Sequence, residues 1–534
     1  MKRAITFILA ASMLAAALTG CGQQKAPTVS ETPPEVSENF NATGCPIVNE
    51  PVTLHVFASR HGLSEEYSTI QTFIDLEEQT NVKIEWEYSP EADWETQKPL
   101  LLASNDIPEV FVCSVLGESD VLQNPTLFYP MEDYIEQYCP NIQAMFEENP
   151  SLEKLATAPD GHIYGLPKQM PCRPDSFTMG FINQQWLDNL GLEMPTTTDE
   201  LYEVLKAFKE QDANGNGDPN DEIPLSGIGM NNLAGITPIF AWFGAVHSVN
   251  SWFEVNDGVV EYVPASEEFK EGIKYLQKLY TEGLIDQELF TNDWSSYPAK
   301  LNPEGDSLVG VGFHWSIETA VGPTRKEEYT QLLPMKGPNG DQYWPVNPEA
   351  AKNGTYYAEV TAACEHPEIA MRWLDALYDQ KTSMQTFYGP IGTTMEENAD
   401  GTYTVLDPPE GVSGETWAWQ YSWGDQGPMY VGDAFSEKIT PSRDVREKLE
   451  ADKNYAPYFK DEYYPLVTFT QEENDELSII STDVTKCVDE MMASWITGAS
   501  DIDADWDSYL QQLSDMKLDR MIEIYQAAYD RYMG

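Results

Sequence analysis

The sequence predicts an α/β protein with a helical C-terminal region. Three observations carry this reading: β-type runs alternate with helical spacing after residue 50, a buried strand-like run returns near residue 308, and the chain ends in long apolar stripes at helical spacing. The first strand is Val52-Thr53-Leu54-His55-Val56-Phe57. Leu63, Tyr67, Ile70, Phe73 and Ile74 then recur as one helix face. Val82 to Trp86 alternates with period two, and Val110-Phe111-Val112 is apolar on both sides. Such a run fits the interior of a parallel sheet covered by helices. The distant run Leu308 to Phe313 reads as another buried strand.

In the middle of the chain, Phe177 to Ile182 is extended. Thr197-Thr198-Asp199-Glu200 has capping-box spacing ahead of the stripe Leu201, Val204, Leu205 and Phe208. Phe269, Ile273, Leu276 and Leu279 mark a helix closed by Gly283, and Ala363 to Asp379 is helical. Leu477, Ile480, Val484, Val488, Met491 and Trp495, then Trp506, Leu510, Leu513, Ile522, Tyr525 and Tyr532, predict helices packed onto a lobe.

Charge narrows the partners. The 534 residues carry 31 Lys+Arg against 88 Asp+Glu, a net charge of −57, so nucleic acid is excluded as a partner on electrostatic grounds. Hydrophobic residues at 41% and aromatics at 12% supply sizeable cores, which excludes global disorder. Lys2 and Arg3 precede an apolar run from Ala4 to Leu18, too short to remain as a bilayer anchor, and residues 1–20 read as a signal peptide. Leu18-Thr19-Gly20-Cys21 resembles a bacterial lipobox, in which cleavage precedes the cysteine and its thiol is lipidated, a palmitate-bearing anchor; ordinary cleavage near Ala16 is the alternative. Residues 21–49 are rich in Pro, Ser, Thr and Glu and read as a flexible tether. The six remaining cysteines, at 45, 113, 139, 172, 364 and 487, contain no CxxC and their pairing is not readable.

One motif is sharp. Asp212-Ala213-Asn214-Gly215-Asn216-Gly217-Asp218-Pro219-Asn220-Asp221-Glu222 places oxygen-bearing side chains at alternate positions with Gly between them. Ca²⁺ takes six to eight oxygens, and such a loop turns them inward. The loop departs from an EF-hand because its twelfth position is Ile223, so the acidic residue falls one place early. A structural Ca²⁺ site is the expectation, with Asp212, Asn214, Asn216, Asp218, Asp221 and Glu222 as ligands.

The lipobox, the tether, Asp160-Gly161-His162-Ile163-Tyr164-Gly165-Leu166-Pro167, Trp186-Leu187-Asp188-Asn189-Leu190-Gly191-Leu192, Pro195 to Leu201, the calcium loop and Leu510 to Tyr532 follow in a specific order. Together they resemble the family 1 extracellular solute-binding proteins, in particular the lipoproteins serving carbohydrate ABC importers of Gram-positive bacteria. The resemblance implies a two-lobed periplasmic-binding-protein-like fold (type II-like), a monomer that is not an enzyme, a carbohydrate ligand with a peptide as the alternative, and ABC permease subunits as partners. It places the protein on the extracellular face of the membrane, lipid-anchored at Cys21. It also implies that Asp212, Asn214, Asn216, Asp221 and Glu222 give side-chain oxygens, with Asp218 or Asn220 completing the set. On this basis the body at 50–534 divides into one lobe at 50–170 plus 305–355 and another at 171–304 plus 356–534.

Ligands of open parallel sheets sit beyond the carboxyl ends of strands. That rule nominates Ser59 and Arg60, Ser114, and His314-Trp315, with Trp242-Phe243 from the other lobe. Trp417, Trp419, Tyr421 and Trp423 alternate, so an extended segment would present them on one face, with Asp425 and Gln426 as hydroxyl partners. The ligand set expected is Arg60, Ser114, Trp242, Trp315 and Trp423. The rival class is a surface-anchored, calcium-stabilised glycoside hydrolase, which needs two facing carboxylates.

Overall fold

A computed structural model describes residues 27–29, 34–88, 91–104, 106–218, 220–231, 233–247, 251–409 and 412–534. The leader, Cys21 and the first part of the tether lie outside them. Strand β1 (Val52–Ala58) pairs in parallel with β2 (Val82–Tyr88) and with β3 (Val110–Val112). Helix α1 (Gln71–Thr80) joins the first two, and α2 (Glu91–Leu102) the second and third. The β-α-β-α-β order is therefore as the sequence predicts. Leu63 falls outside the helix and is exposed.

The chain then crosses through residues 168–178 into a second lobe. There β4 (Met179–Asn183) precedes α3 (Thr198–Glu210), β5 (Ile223–Leu225), α4 (Glu267–Thr281), β6 (Val309–His314) and β7 (Tyr329–Leu332). Thr197 Oγ1 accepts from the Glu200 N–H at 3.1 Å while the Glu200 carboxylate accepts from the Thr197 N–H at 3.2 Å, closing the predicted capping box. The sheet runs β7-β4-β6-β5. A return crossing leads to β8 (Ala358–Val360), which pairs antiparallel with β3 and completes the first sheet as β8-β3-β1-β2. Helix α5 (Pro367–Leu377) follows in the first lobe, and α6 (Gly414–Gln420) comes later in the chain, ahead of the core residue Trp423.

These pairings correct the predicted lobes. Segment 305–355 contributes to the second lobe, because β6 pairs with β4 and β5. Within 356–534, residues from β8 to Tyr378 and again Trp423, Met429 and Tyr430 pack in the first lobe's core, while Met384, Met395, Tyr403 and Val405 form a small cluster of their own. An apolar run announces a buried strand without naming its sheet. Gly310 fits this placement: a Cβ there would stand 2.5 Å from the Phe208 ring, so β6 accepts α3 closely at that point.

After a third crossing the chain ends in α7 (Arg443–Tyr455), α8 (Gln471–Ile496), α9 (Ile502–Asp515) and α10 (Leu518–Met533). Leu477, Ile480, Val484, Val488, Trp495, Trp506 and Leu513 are buried against the second lobe, as their spacing predicts. No helix among the described residues is long and apolar enough to cross a membrane.

The described end of the tether is not free. Ile47 and Val48 are fully buried, and Arg372 donates to the carbonyls of Ala42 at 2.6 Å and Gly44 at 2.8 Å. Polar composition signalled a tether through residue 49, but this apolar pair and one buried guanidinium pin residues 41–48 to the first lobe.

Where the lobes meet, the crossings brace one another. Lys168–Gln169 pairs antiparallel with Asn353–Gly354, and Gln169 bridges in parallel to Tyr430. Each lobe has its own core, and backbone pairing is concentrated at the connection, an arrangement that permits hinge motion. The described cysteines are all free.

Candidate functional site

A cavity of about 490 Å³ opens at the carboxyl ends of β1 and β3. Phe57, Ala58 and Ser59 reach it from β1, and Cys113, Ser114 and Val115 from β3. Trp94 of α2, Tyr357, Asp425 and Gln426 complete the rim, with Lys168 on the crossing strand below. The strand-end rule thus finds Ser59 and Ser114, and the sequence reading of Asp425 and Gln426 also lands here. Cys113 and Ser114 hold φ of 67° and 53°, a left-handed pair that turns the chain sharply after β3. The Trp94 indole N–H donates to the Val115 carbonyl at 2.6 Å and its ring lies 4.7 Å from that of Phe57.

Through Arg173, which reaches Asp425 of this lining, a second group of side chains follows at the end of β6. Trp315 follows this strand and is half-buried; the Arg173 guanidinium lies 4.6 Å from its ring centroid and Phe177 stands edge-on at 6.5 Å. Trp294, 52% exposed, meets His314 edge-on at 5.9 Å. Beneath Trp315, Lys448 of α7 is fully buried, with its Nζ 5.4 Å from the ring centroid and 3.4 Å from Ser176 Oγ. Burial pushes Lys448 down to about 7 and Lys168 down to about 8. It also lowers Arg173, which stands 3.8 Å from the Asp425 carboxylate.

Burial, and secondarily the charge of Lys448, lowers His314 from its ordinary 6.5 to about 4. Between those values the unfolded chain takes up a proton that the native His314 refuses, so this residue's stabilising contribution is lost as pH falls from 6.5 towards 4. Its size is on the order of 3 kcal/mol, at ~1.4 kcal/mol for each pH unit between the two values. Denaturant titrations are expected to show that difference shrinking over this interval between wild type and His314→Asn. Lys448, held near 7 in the native state, begins to lose its proton only at the upper end of this interval, where it adds a small slope of the same sign; below about pH 6 the slope is that of His314.

Three expected ligand residues are placed elsewhere. Trp242 is fully buried in the second core. Trp423 is fully buried in the first, tilted against Phe73 at 4.9 Å and edge-on to Tyr67 at 6.0 Å. A Cβ at Gly427 would stand 2.0 Å from the Trp423 ring, so glycine is what lets the chain close over it. Residues 417–420 are helical rather than extended, which removes the shared aromatic face; Trp419 instead stacks on His61 at 4.2 Å. Arg60 pairs with Glu66 at 3.1 Å and donates to the Ser64 carbonyl at 2.6 Å, securing its own loop. Ser114 and Trp315 remain at the cleft. Lys168, Arg173, Trp94, Trp294, Tyr357 and Lys448 were missed. One signal was available: Pro167-Lys168-Gln169-Met170-Pro171-Cys172-Arg173-Pro174 sets two cations in a proline-punctuated connector of an acidic chain.

The predicted metal loop follows α3. Asn214 and Asn216 amides donate to Asp221 at 3.1 and 2.7 Å, and Asp212 accepts from the Gly217 N–H at 2.9 Å. Glu222 accepts from the Ala213 N–H at 2.8 Å through one oxygen. Its other oxygen and Asp212 Oδ1 are buried without a hydrogen-bond partner. Among the described residues, no group of three or more His, Cys, Asp or Glu is placed to hold a metal.

The comparisons bear on this geometry. A family model, bacterial extracellular solute-binding protein, matches residues 61–384. The fructooligosaccharide ABC transporter substrate-binding protein FusA of Streptococcus pneumoniae is 32% identical over 480 residues, 86% of each chain. FusA in complex with kestose superposes with a TM-score of 0.82 at 30% identity, covering 90% of this chain and 99% of that one. A FusA EF-hand mutant in complex with fructo-nystose gives 0.83 at the same identity and coverage. An HMO-binding, ABC-transporter-associated solute-binding protein from Bifidobacterium longum infantis is 28% identical with a TM-score of 0.80, covering 91% of this chain and 99% of that one.

Proposed function

Because this chain belongs to the bacterial extracellular solute-binding protein family, we infer that it captures an oligosaccharide in the interlobe cleft and hands it to the permease subunits of an ABC importer. One observation carries the ligand class: the half-buried rings of Trp94 and Tyr357 line the cavity, and Arg173, 3.8 Å from the lining residue Asp425, links it to the half-buried Trp315 of the other lobe. Sugar C–H faces stack on such rings, and Ser114, Asp425 and Gln426 offer hydroxyl partners. A ligand touching both lobes binds the closed form better and so shifts the hinge towards it. FusA, the relative bound to kestose, supports a saccharide.

A glycosidase needs two carboxylates flanking the scissile bond. The cavity lining presents Asp425, and this favours a receptor over a hydrolase. A thermal-shift screen over mono- and oligosaccharides, followed by chromatography of the incubated sugars, tests the reading. Stabilisation by oligosaccharides with the sugars recovered intact is expected; release of shorter products would sink the receptor reading. Lipid attachment at Cys21, and with it a place on the outer face of the membrane, belongs to the same proposal.

The loop at 212–222 suits a structural Ca²⁺, which would supply positive charge to oxygens that the protein leaves unpaired. Glu222 is 9% exposed, and its free oxygen and that of Asp212 point to this role. With Asp212, Asn214, Asn216, Asp218, Asp221 and Glu222 holding it, calcium at a hundredfold excess over its Kd is expected to stabilise the second lobe by ~2.7 kcal/mol. Melting curves in calcium and in a chelator check this, with Asp212→Ala and Glu222→Gln abolishing the difference. Identical curves in both would remove the metal.

A further inference from the structure

The cleft floor carries more positive charge than the protein balances. Lys168, 4% exposed, rests 4.1 Å from the Tyr357 ring centroid, and its ammonium donates to the Asp425 backbone carbonyl rather than to a carboxylate. The Arg173 guanidinium carbon lies 4.6 Å from the Trp315 ring centroid and 5.9 Å from that of Phe387, and the group reaches Asp425 only at 3.8 Å. Lys448 stands behind Trp315 with Ser176 as its hydrogen-bond partner. Among the described residues, no carboxylate forms an ion pair with Lys168 or Lys448. The nearest carboxylates, Asp425 for Lys168 and Asp452 for Lys448, act through space, and each has other partners. Asp452 accepts from the backbone N–H groups of Asp175 and Ser176 at 2.8 and 3.0 Å, and Asp175 faces Lys352 at 4.0 Å.

Removing an ion from water costs several kcal/mol unless a counter-charge is supplied. Three such cations gathered on one side of a ligand cleft, in a chain of net charge −57, reverse the local field. A neutral sugar would leave that cost standing. The Arg173 Nε donates to the Ala351 carbonyl at a long 3.4 Å, and the terminal nitrogens of its guanidinium suit a carboxylate. We propose that the cleft selects acidic oligosaccharides, with a sugar carboxylate seated against Lys168 and Arg173 and Lys448 reinforcing the field from behind Trp315. This rests on the carbohydrate reading and adds the charge of the ligand to it. The depressed proton affinities of Lys168 and Lys448 agree: burial outweighs the attraction of Asp425 for the first and of Asp452 for the second.

The test is calorimetry on the full mature chain with matched pairs: oligogalacturonates against their carboxyl-reduced counterparts, and sialylated against desialylated oligosaccharides. The acidic member of at least one pair is expected to bind roughly tenfold tighter or more, from one or two charge-assisted hydrogen bonds, and that advantage should shrink with added salt. Which pair responds separates a uronate from a sialic acid. Lys168→Met and Arg173→Met are expected to erase the advantage and Lys168→Arg to retain it. Lys168→Met should also raise the melting temperature of the ligand-free protein, a gain that a merely structural lysine would not give. Equal affinities, or binding by neutral sugars alone, would overturn the acidic subsite while leaving the carbohydrate reading intact. Failure of every saccharide to bind would overturn both. The paired comparison on the unmodified protein decides the matter even where a variant fails to fold.

Discussion

Replacing Trp315 with alanine is expected to weaken binding of the best oligosaccharide by roughly thirtyfold, or ~2 kcal/mol, the scale of a central aromatic contact. Two losses add. The half-buried indole is the ring that follows the central strand β6, so its removal takes away a stacking face. It also takes away the surface on which Arg173 lies at 4.6 Å, and an unsupported guanidinium samples more rotamers before it can hydrogen-bond. Trp315→Phe keeps a face and is expected to recover about half of the lost free energy, since the smaller ring has less area and a weaker attraction for cations. Titration calorimetry on the three proteins reads the effect. A dissociation constant unchanged in Trp315→Ala would move the ligand away from β6. Trp242→Ala serves as the contrast: its ring lies in the second core, so its loss should lower stability and leave the cleft contacts in place.

The elements that were legible in the sequence are those in which local pattern and tertiary role coincide. Thr197 and Glu200 cap a helix through atoms three residues apart, and the stripe from Leu477 to Trp495 lies against the second lobe because a long helix can bury only one face. The strand-end rule led to Ser59 and Ser114 in the cavity lining because parallel strands deliver their following residues to one edge. What failed depends on long-range partners. The run at 308–313 carries no label for its sheet; its pairing with β4 and β5, far off in sequence, gives it one, and Gly310 lets Phe208 pack close there. Trp423 and Trp242 share a residue type with Trp315 and differ in surroundings that no local spacing encodes. Alternation at 417–423 suggested a strand, yet Ser413 caps a helix there by accepting from the Thr416 N–H at 3.0 Å. The cations were the largest omission, because a lysine in sequence looks solvated until Tyr357 and Trp315 are seen to enclose Lys168 and Lys448.

Trp423→Ala is expected to have the largest effect on stability, about 3–5 kcal/mol, as for other fully buried tryptophans cut back to a methyl group. The ring fills the first lobe between Phe73 and Tyr67, which in turn meet Trp86 edge-on at 5.6 and 5.3 Å. Gly427 lies so close to it that the chain above cannot move inward without first losing its present turn, so the cavity would stay largely open. Because the two lobes have separate cores, the loss should appear in one of them. Urea unfolding followed by tryptophan fluorescence is expected to separate into an early transition for the first lobe and a late one at the wild-type midpoint for the second. Below the early transition, oligosaccharide affinity should stay within about threefold of wild type, a shift of under ~0.7 kcal/mol. A variant of undiminished stability that no longer binds would return Trp423 to the ligand set and remove it from the core.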